Sequence, residues 1–555
     1  MATPVKSERG VKAHEQGEQL RSSSPPCSDS LPAEKDQNAS ETSPSPTQAP
    51  LPPLRHTTTH QSATAVEAAQ ILANFATHPA NPRNWPRRQK WSISITVSIT
   101  GFIATCGSSI AVPGVHAITN DFGISNPKIG VLITTFYVLG LGAGPFVFAP
   151  ISELYGRQVA YMISQSLFFF FCLGTAVSQN MASILVLRFF CGVFASSGPG
   201  LGVTTCADVW APEERGRPLS LYAIGPMAGP VLGSMIGYWI LGGGGWRWLF
   251  WTITILAFAN ALLFIVISTE TNAQVIEKKL KYRINHPISP PNTFLDRISP
   301  SRFIHDQGWM SAMVSRHEAK AVFKRTFSRP FRLLLFNPVC AIFCVYYAYI
   351  YACIYLFLVS VPLLFGSAPY SRTGLFSYSW SMNTVSLAYI GLAIGFFSAA
   401  AIASTYQDKI YKALKKKNGG NGQPEYRLVM TQSGMLIMPI GLLIFGWTAN
   451  AHTHWIGPQI GMVFVALGLM LAFNSIQNFL VDAFFPYSAA AIASATACRS
   501  ALTAVLPVFS ADMFADLGWG VGGTLLAGIA LVAVPAPLIM FKYGRHLRER
   551  YAFDG

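Results

Sequence analysis

The chain has 555 residues, of which 51% are hydrophobic and only 12% are charged, and its net charge is +15. Soluble domains carry about 25% charged residues, and the mean hydropathy here is +0.37. These values exclude an intrinsically disordered chain, disfavour an ordinary soluble enzyme, and indicate a protein whose main solvent is lipid.

Residues 1–90 differ from the rest of the chain. They are rich in Ser, Pro, Thr and Gln and hold few large apolar side chains. Such a segment cannot bury a core, so we expect a disordered tail. It ends in a basic cluster between Trp85 and Trp91, and tryptophans of this kind anchor a chain at a membrane surface.

Twelve apolar stretches follow, each close to the roughly 20 residues that a helix needs to cross a bilayer. Six fall within 91–269 and six within 337–541; a polar, basic linker covers 270–336 and a short tail covers 542–555. We predict an all-α membrane protein with twelve transmembrane helices in two pseudo-symmetric six-helix bundles. The predicted spans are 91–113, 129–149, 158–178, 182–206, 218–240, 248–268, 339–365, 380–404, 428–448, 458–480, 487–510 and 518–541.

Charged residues avoid these stretches. None of the 25 Asp and Glu residues falls in a predicted span, and only Arg188 and Arg499 do so among the bases. Charge is costly in hydrocarbon, so a spanning chain requires this pattern. Lys and Arg concentrate in the linker, the loop after the eighth span and the C-terminal tail. The positive-inside rule therefore places both termini and the linker in the cytoplasm.

The same distribution limits the partners and the chemistry. The positive charge follows topology and favours anionic membrane lipids, so we expect no nucleic-acid partner. The nine cysteines show no metal-ligand spacing with histidine, and no Gly-x-x-x-x-Gly-Lys phosphate loop occurs. We expect no metal, no cofactor and no enzymatic activity.

The two halves carry similar residues at corresponding positions. The fourth span ends in Asp208-x-x-x-Pro and the tenth in Asp482-x-x-x-Pro, while Glu153 and Asp408 follow the second and eighth spans. This correspondence predicts an internal duplication about an axis along the membrane normal.

The loop between the second and third spans reads APISELYGR from Ala149 to Arg157. Gly156 permits a tight turn, and Glu153 and Arg157 can form a charge cluster that holds one half of the protein against the other. The alternative is a solvated turn with ordinary loop charges.

A second motif is Arg188-Phe-Phe-Cys-Gly192 in the fourth span. A buried arginine in lipid needs a partner or an aqueous cavity. Such a side chain either influences proton and substrate binding or serves as a structural arginine bonded to backbone carbonyls.

The third motif, GPMAGPVLGSMIG, begins at Gly225 in the fifth span. Its glycines recur every four residues, so they share one helix face and allow a neighbouring helix to approach closely. Pro226 and Pro230 remove backbone donors and permit bending. We predict a tightly packed, bendable seal against proton leak; generic glycine packing is the alternative. The other glycines of the repeat are Gly229, Gly233 and Gly237.

Together these motifs resemble those of the major facilitator superfamily, in particular its fungal twelve-helix drug:proton antiporter branch. The likeness covers about residues 84–550 and departs from the family pattern at Ala149, Glu153, Gln158 and Ser234. The resemblance implies alternating access between two bundles, and the motif in the fifth span is associated in that family with export. It also implies proton coupling, for which Asp208, Asp482, Glu153 and His116 are the candidates. The predicted gating and coupling residues are Glu153, Gly156, Arg157, Arg188, Asp208, Gly225, Gly229, Pro230, Gly233, Asp408 and Asp482.

A cavity between the bundles should be lined by aromatic side chains and a few polar groups. Such an uncharged lining suits bulky amphipathic molecules and suits polyamines poorly, because cations would require buried carboxylates. Packing and interfacial roles are the alternative for each candidate. The predicted substrate-binding residues are Tyr137, Gln165, Tyr347, Tyr351, Tyr355, Trp380, Asn383, Asn474, Gln477 and Asn478.

The sequence therefore predicts a secondary transporter that exports hydrophobic or amphipathic small molecules, such as drugs, toxins or a secreted metabolite, in exchange for protons. A polyamine or nutrient importer on the same fold is the main alternative, and a non-transporting membrane sensor is a further one. We expect a multi-pass monomer in the plasma membrane, with a vacuolar or other internal membrane as the alternative location.

Overall fold

The computed structural model describes residues 75–267, 269–285, 316–367, 374–485 and 487–551. Most of the expected N-terminal tail, the middle of the linker, Pro486 of the second Asp-x-x-x-Pro motif and the last four residues lie outside these ranges. The residues 75–86, which the sequence analysis assigns to the tail, instead form turns and a short 3-10 helix, because the Asn84 side chain donates to the Ala76 carbonyl at 2.8 Å.

The first half of the chain supplies six membrane-spanning segments, the fourth of which is divided between two helices at Ser196. A short helix, α2, follows the first span. The helices are α1 Arg87–Ser109, α2 Val115–Asp121, α3 Pro127–Leu154, α4 Arg157–Ala176, α5 Met181–Ala195, α6 Ser197–Val209, α7 Gly216–Gly244 and α8 Arg247–Ile267.

Two linker helices precede the second half, which repeats the pattern of long apolar helices. Its eighth span begins at Met382, two residues later than predicted, because the Trp380 backbone N–H donates to the Phe365 carbonyl at 2.6 Å and keeps Trp380 in the preceding loop. The helices are α9 Ala273–Asn285, α10 Arg316–Phe336, α11 Pro338–Phe365, α12 Met382–Val385, α13 Ile390–Lys417, α14 Val429–Asn450, α15 Ile456–Ala483, α16 Ser488–Val532 and α17 Pro535–Arg550.

Within the described residues, eleven helical runs are long and apolar enough to cross a membrane, and the last of them has 63 residues. A straight helix of that length would measure about 95 Å, roughly three times the hydrocarbon core of a bilayer. The run is interrupted at Gly518, where φ is 73°. A Cβ built on Gly522 would lie 2.8 Å from the Phe514 ring, although eight residues of continuous helix span about 12 Å. The chain therefore reverses at Gly518, the run supplies two crossings, and the predicted total of twelve is confirmed.

Large apolar side chains cover the outside of these helices. Phe170 is 61% exposed, Trp239 71% and Val532 83%. An apolar exterior of this extent would aggregate in water and is the surface that lipid contact requires.

The glycines of the fifth span give α7 its close approach to α1, as their spacing predicts. A Cβ on Gly229 would overlap the Thr105 hydroxyl and lie 2.9 Å from the Phe102 carbonyl oxygen, and one on Gly233 would lie 2.8 Å from the Cys106 carbonyl oxygen. Two helix backbones meet here with no room for a side chain between them.

We predict that Gly229→Leu abolishes transport, because the added side chain must push α7 away from α1. Gly243→Leu is the matched control: it lies near the end of the same helix, and a Cβ there would meet no atom within 4 Å. Both variants should reach the membrane in similar amounts on immunoblots of membrane fractions, and only Gly243→Leu should retain transport of a labelled substrate. Equal transport by the two variants would contradict the packing argument.

Candidate functional site: a cavity between the halves and an ionic cluster

A cavity of about 360 Å³ lies between the two halves of the chain. The first half contributes residues of α2, α3 and α7 together with the α1–α2 connection, and the second half contributes residues of α11 and α16. The lining residues are Val112, Val115, His116, Thr119, Lys128, Val131, Thr134, Thr135, Val138, Tyr238, Tyr355, Leu358, Val359, Pro362, Leu363, Thr503, Pro507, Val508, Ala511 and Asp512.

The polarity of the cavity changes along its length. Its floor includes the buried side chains of Tyr355 and Leu358. Its mouth holds the charged residues Lys128 and Asp512, which are partly exposed and form an ion pair of 3.1 Å between the two halves. Between floor and mouth, valine, proline and threonine side chains predominate. The lining therefore suits an apolar molecule with a few hydrogen-bonding groups.

The mouth lies far from the linker. Lys128 is near the start of α3 and Glu153 near its end, so about 38 Å of helix separates them. Glu153 Oε2 accepts a hydrogen bond of 3.0 Å from Thr326 of the linker helix α10. We call the Glu153 side of the protein the linker end; the cavity opens on the opposite side.

Two equivalent ion pairs lie at the linker end. Arg157 at the start of α4 contacts Asp208 near the end of α6, with 3.1 Å between Nε and Oδ2. Arg427, just before α14, contacts Asp482 near the end of α15, with 3.2 Å between Nε and Oδ2. The same atoms thus meet at corresponding places in the two halves, which is the structural counterpart of the duplicated Asp-x-x-x-Pro motif.

Further contacts join the halves at this end. Arg215 of the first half forms an ion pair with Asp482 of the second, so this carboxylate is shared by Arg215 and Arg427. Arg427 Nη2 also donates to the Pro212 carbonyl at 2.7 Å. Burial, together with the neighbouring Arg427 guanidinium, lowers the pKa of Arg215 to about 10, and Arg215 therefore stays cationic at neutral pH.

Asp408 provides a second link between the halves. It accepts a hydrogen bond of 2.9 Å from the backbone N–H of Arg217 and contacts Arg427 Nη1 at 3.3 Å. This approach requires Gly216, because a Cβ there would lie only 2.7 Å from the Asp408 carboxyl carbon. The carboxylate therefore sits at the N-terminus of α7, where the helix dipole favours negative charge.

A peripheral ion pair adds to these links. Lys415 Nζ contacts Glu213 Oε1 at 3.1 Å across the halves. The pKa of Glu213 lies below its ordinary range because its own backbone N–H and Lys415 both donate to its carboxylate. We use the name linker-end cluster for the buried and half-buried set Arg157, Asp208, Arg215, Asp408, Arg427 and Asp482.

Glu153 and Arg157, which the sequence predicts to form a charge cluster, have different partners in the structure. Arg157 bonds to Asp208 and to the Ser152 hydroxyl, and Glu153 bonds to the linker helix. Gly156 does form the expected turn, with φ at 97°. Its missing side chain leaves room for Glu270, which accepts from the backbone N–H of Arg157 at 2.9 Å.

Arg188 lies within the first half. Its guanidinium donates to the carbonyls of Ile133, Gly107 and Ser108, at 3.3, 2.7 and 3.1 Å. The Tyr137 ring lies 4.3 Å from its central carbon. This is the geometry of a structural arginine that ties α5 to α1 and α3.

Two other predicted substrate residues form hydrogen bonds within the first half. The Tyr137 hydroxyl donates to the Ala104 carbonyl at 2.7 Å. Gln165 donates to the Ser197 hydroxyl and accepts from Asn260, both at 2.8 Å. Neither side chain lines the cavity described above.

Of the predicted α11 tyrosines, Tyr351 and Tyr355 contact the opposite half, whereas Tyr347 packs within its own half. Tyr355 lines the cavity and its hydroxyl contacts that of Ser108. One turn closer to the linker end, the Tyr351 hydroxyl donates to the Pro226 carbonyl at 3.3 Å. Tyr347, a further turn along, stacks on Phe473 with 4.4 Å between ring centroids.

The remaining candidates divide between two places. Asn474 donates to the Ser220 hydroxyl of the first half at 2.7 Å, and Asn478 donates to the Asn474 carbonyl at 2.9 Å. Gln477 is buried on the same helix. Trp380 and Asn383 lie near the start of the eighth span, where Asn383 is exposed. Of the ten predicted substrate residues, Tyr355 alone lines this cavity within the described residues.

Sequence reasoning missed Arg215, Glu213, Arg427 and Glu270 as members or supports of the linker-end cluster. A signal for two of them was present: Glu213-Glu-Arg-Gly-Arg217 is a dense run of charge directly after the first Asp-x-x-x-Pro motif.

Comparison with known proteins identifies the family. The model of the Major Facilitator Superfamily matches residues 97–507. The chain belongs to this superfamily. It is 33% identical over 480 residues to the efflux pump radE of Floropilus chiversii, which covers 86% of this chain and 84% of that protein. It is 32% identical over 472 residues to the MFS transporter cpaT of Aspergillus oryzae, covering 85% and 90%.

The fold is shared with a solved transporter of the superfamily. The proton:xylose symporter XylE, bound to 6-bromo-6-deoxy-D-glucose, superposes with a TM-score of 0.59 over 83% of this chain and 96% of that chain, at 16% identity. The superfamily match and the related transporters, together with this shared fold, show that the chain is a multi-pass membrane transporter with the predicted fold and not an enzyme.

The shared carboxylate gives a testable asymmetry between the two equivalent aspartates. Asp482→Asn leaves Arg215 and Arg427 without their common partner and should open the linker end, whereas Asp208→Asn affects a pair within the first half. With the chain's cysteines replaced and spin labels attached at the exposed positions 214 and 416, double electron–electron resonance would measure the separation of the halves. We expect longer distances for Asp482→Asn and an unchanged distribution for Asp208→Asn. A lengthening that is equal in both variants would argue against a special role for Asp482.

His116 at the cavity mouth gives a pH prediction. Partial burial lowers the pKa of its imidazole below the ordinary value of about 6.5. The charged form is thus disfavoured in the folded chain, and stability falls as the pH drops through the unfolded-state pKa. Between pH 7.5 and 5.5, the melting temperature of His116→Gln in detergent should fall less than that of the wild-type chain. Parallel decreases would show that the imidazole makes no such contribution.

Proposed function

We propose that this transporter exports hydrophobic or amphipathic small molecules in exchange for protons. The observation that carries the proposal is the cavity between the halves, open at one end and closed at the other by contacts that cross from one half to the other. A transporter that works by alternating access needs this arrangement: a binding space at the interface of two bodies and a breakable closure on one side.

The moving bodies in this proposal are the two bundles of residues 91–269 and 337–541, joined by the linker 270–336. The basic linker end faces the cytoplasm by the positive-inside rule, so the cavity opens to the opposite side. The conformation is then the one that releases its cargo. The plasma membrane is the proposed location, and the chain acts as a monomer.

Several features favour export of apolar cargo over polyamine import. The carboxylate that lines the cavity, Asp512, is already paired with Lys128, and a polycation would need unpaired carboxylates. The lining is otherwise apolar or hydroxylic. The relative radE is named an efflux pump, and the packed glycines of α7 match the motif that suggests export.

The linker-end cluster supplies a route for proton coupling. Protonation of Asp482 would remove the partner that Arg215 and Arg427 share; Arg427 would keep Asp408, and the buried Arg215 would lose its carboxylate partner. Since breaking a buried ion pair costs about 3–5 kcal/mol, such a step would strongly favour separation of the halves at this end. Asp208 and Asp408 are further candidates on the same grounds.

Export is tested by measuring accumulation of rhodamine 6G in yeast cells with and without the protein. We expect lower accumulation when the wild-type chain is present, because the dye is amphipathic: a delocalised positive charge is spread over a large apolar ring system with few hydrogen-bonding groups. Cells with the non-transporting variant Gly229→Leu serve as the control for expression. Equal accumulation in all three strains, repeated across a panel of apolar compounds, would reject export.

Proton coupling is tested in the same cells in medium of pH 5. A protonophore should raise accumulation to the level of the Gly229→Leu control, because the proton gradient that drives efflux has collapsed. Export that persists at its original rate would reject proton coupling and leave export itself standing.

A further inference from the structure

One buried arginine among the described residues has neither a carboxylate partner nor a hydrogen-bond partner on two of its guanidinium nitrogens. Arg499 of α16 is 2% exposed, and its Nε and Nη2 atoms have no hydrogen-bond partner. No carboxylate among the described residues lies within ion-pair distance of it. A guanidinium cannot discard its charge, so Arg499 is a buried positive site with two unused donors.

The other buried arginines show how unusual this is. Arg157 and Arg427 are paired with aspartates, and Arg215 shares the partner of Arg427. Arg188, the second arginine within a span, is held by three backbone carbonyls. Each has oxygen partners on its guanidinium group, as burial of charge ordinarily requires.

Arg499 lies directly beneath the cavity. Thr503, which lines the cavity, is one helical turn further along α16, and a turn rises about 5.4 Å. Tyr351 lies one turn below the cavity residue Tyr355 on α11, and its ring centroid is 4.2 Å from the Arg499 guanidinium carbon. The hydroxyls of Thr503 and Thr134 in the cavity wall are also without partners.

The site lies at the interface of the two halves. The Tyr351 hydroxyl bonds to Pro226 of α7, and the adjacent Ser500 packs against α3, where a Cβ on Gly142 would lie 3.0 Å from its hydroxyl oxygen. Movement of the halves against one another would therefore expose Arg499 to the pathway.

The chemistry of the free donors specifies their ligand. Nε and Nη2 lie on the same edge of the guanidinium plane, and their two N–H groups match the two oxygens of a carboxylate. The rings of Tyr351 and Tyr347 also stabilise the cation, with their centroids 4.2 and 5.9 Å from the guanidinium carbon. The apolar cavity above is suited to the rest of such a molecule.

We propose that the transporter recognises apolar molecules that carry a carboxylate, and that Arg499 binds the carboxylate through Nε and Nη2. This inference rests on the proposed export function, since it assigns a substrate class to the same cavity. It adds a charge preference that an apolar lining alone would not produce.

The test uses two dyes with the same xanthene body, anionic fluorescein, which bears a carboxylate, and cationic rhodamine 6G. Binding to the purified full chain in nanodiscs is measured by fluorescence anisotropy. Arg499→Gln should weaken fluorescein binding at least tenfold and leave rhodamine 6G binding unchanged or stronger. Arg499→Lys keeps the positive charge but lacks the paired N–H groups of the guanidinium, so it should give an intermediate loss of fluorescein binding.

Arg329→Gln is the matched control. Arg329 also lies over a tyrosine ring, that of Tyr487 at 4.7 Å, and its Nε also lacks a partner, but it belongs to the linker helix α10 and not to the cavity. Its replacement should leave the affinity for both dyes within twofold. Melting temperatures of all variants establish that they are folded; should Arg499→Gln fail to fold, the lysine variant decides the comparison.

Three results would overturn the proposal: no fluorescein binding by the wild-type chain, unchanged fluorescein binding in the folded Arg499 variants, or an equal loss of both dyes. Each of these is separate from a failure of export. A chain that pumps rhodamine 6G from cells but does not bind fluorescein keeps the proposed function and rejects the anion site.

Discussion

The closed end of this transporter depends on the ion pairs that the Asp482 carboxylate forms with two arginines. The carboxylate is 8% exposed and accepts from two arginines, Arg427 on its own half and Arg215 on the other. Charges at this depth are stable only when they are paired, because their desolvation is costly. One carboxylate therefore both completes the second half and holds it to the first, and the cavity on the other side owes its one-sided opening to this closure.

The duplicated architecture explains why two kinds of ion pair lie side by side. Each half contains an arginine at or just before the start of one span and an aspartate near the end of the next span, with nearly identical separations of 3.1 and 3.2 Å. In the first half the pair is self-contained. In the second half Asp408 and Arg215 join the pair, so the same kind of ion pair also connects the two halves of the chain.

Much of the fold could be predicted from the sequence because lipid leaves the backbone few choices. Apolar length and the exclusion of charge located all twelve crossings, since a spanning segment must satisfy its own hydrogen bonds. The orientation of each helix about its axis was a different matter. Tyr137 and Gln165, for example, point into their own bundle and not into the cavity. In a membrane protein the lipid-facing side of a helix is as apolar as its packed side, so the hydrophobic pattern does not tell which side faces which. Charge partners were equally hidden, because Arg215 and Asp482 are 267 residues apart.

The reversal at Gly518 has a mechanical consequence for the second half. Here the backbone passes from one crossing to the next through a single glycine, while the rings of Phe514 and Trp519 pack against one another across the bend, with 4.7 Å between their centroids. The last two crossings are therefore connected directly at Gly518, with no loop between them that could absorb a relative movement. A tilt of the crossing that carries Arg499 would therefore move the last crossing with it. The mouth of the cavity and the C-terminal helix α17 would then shift together with the cavity floor.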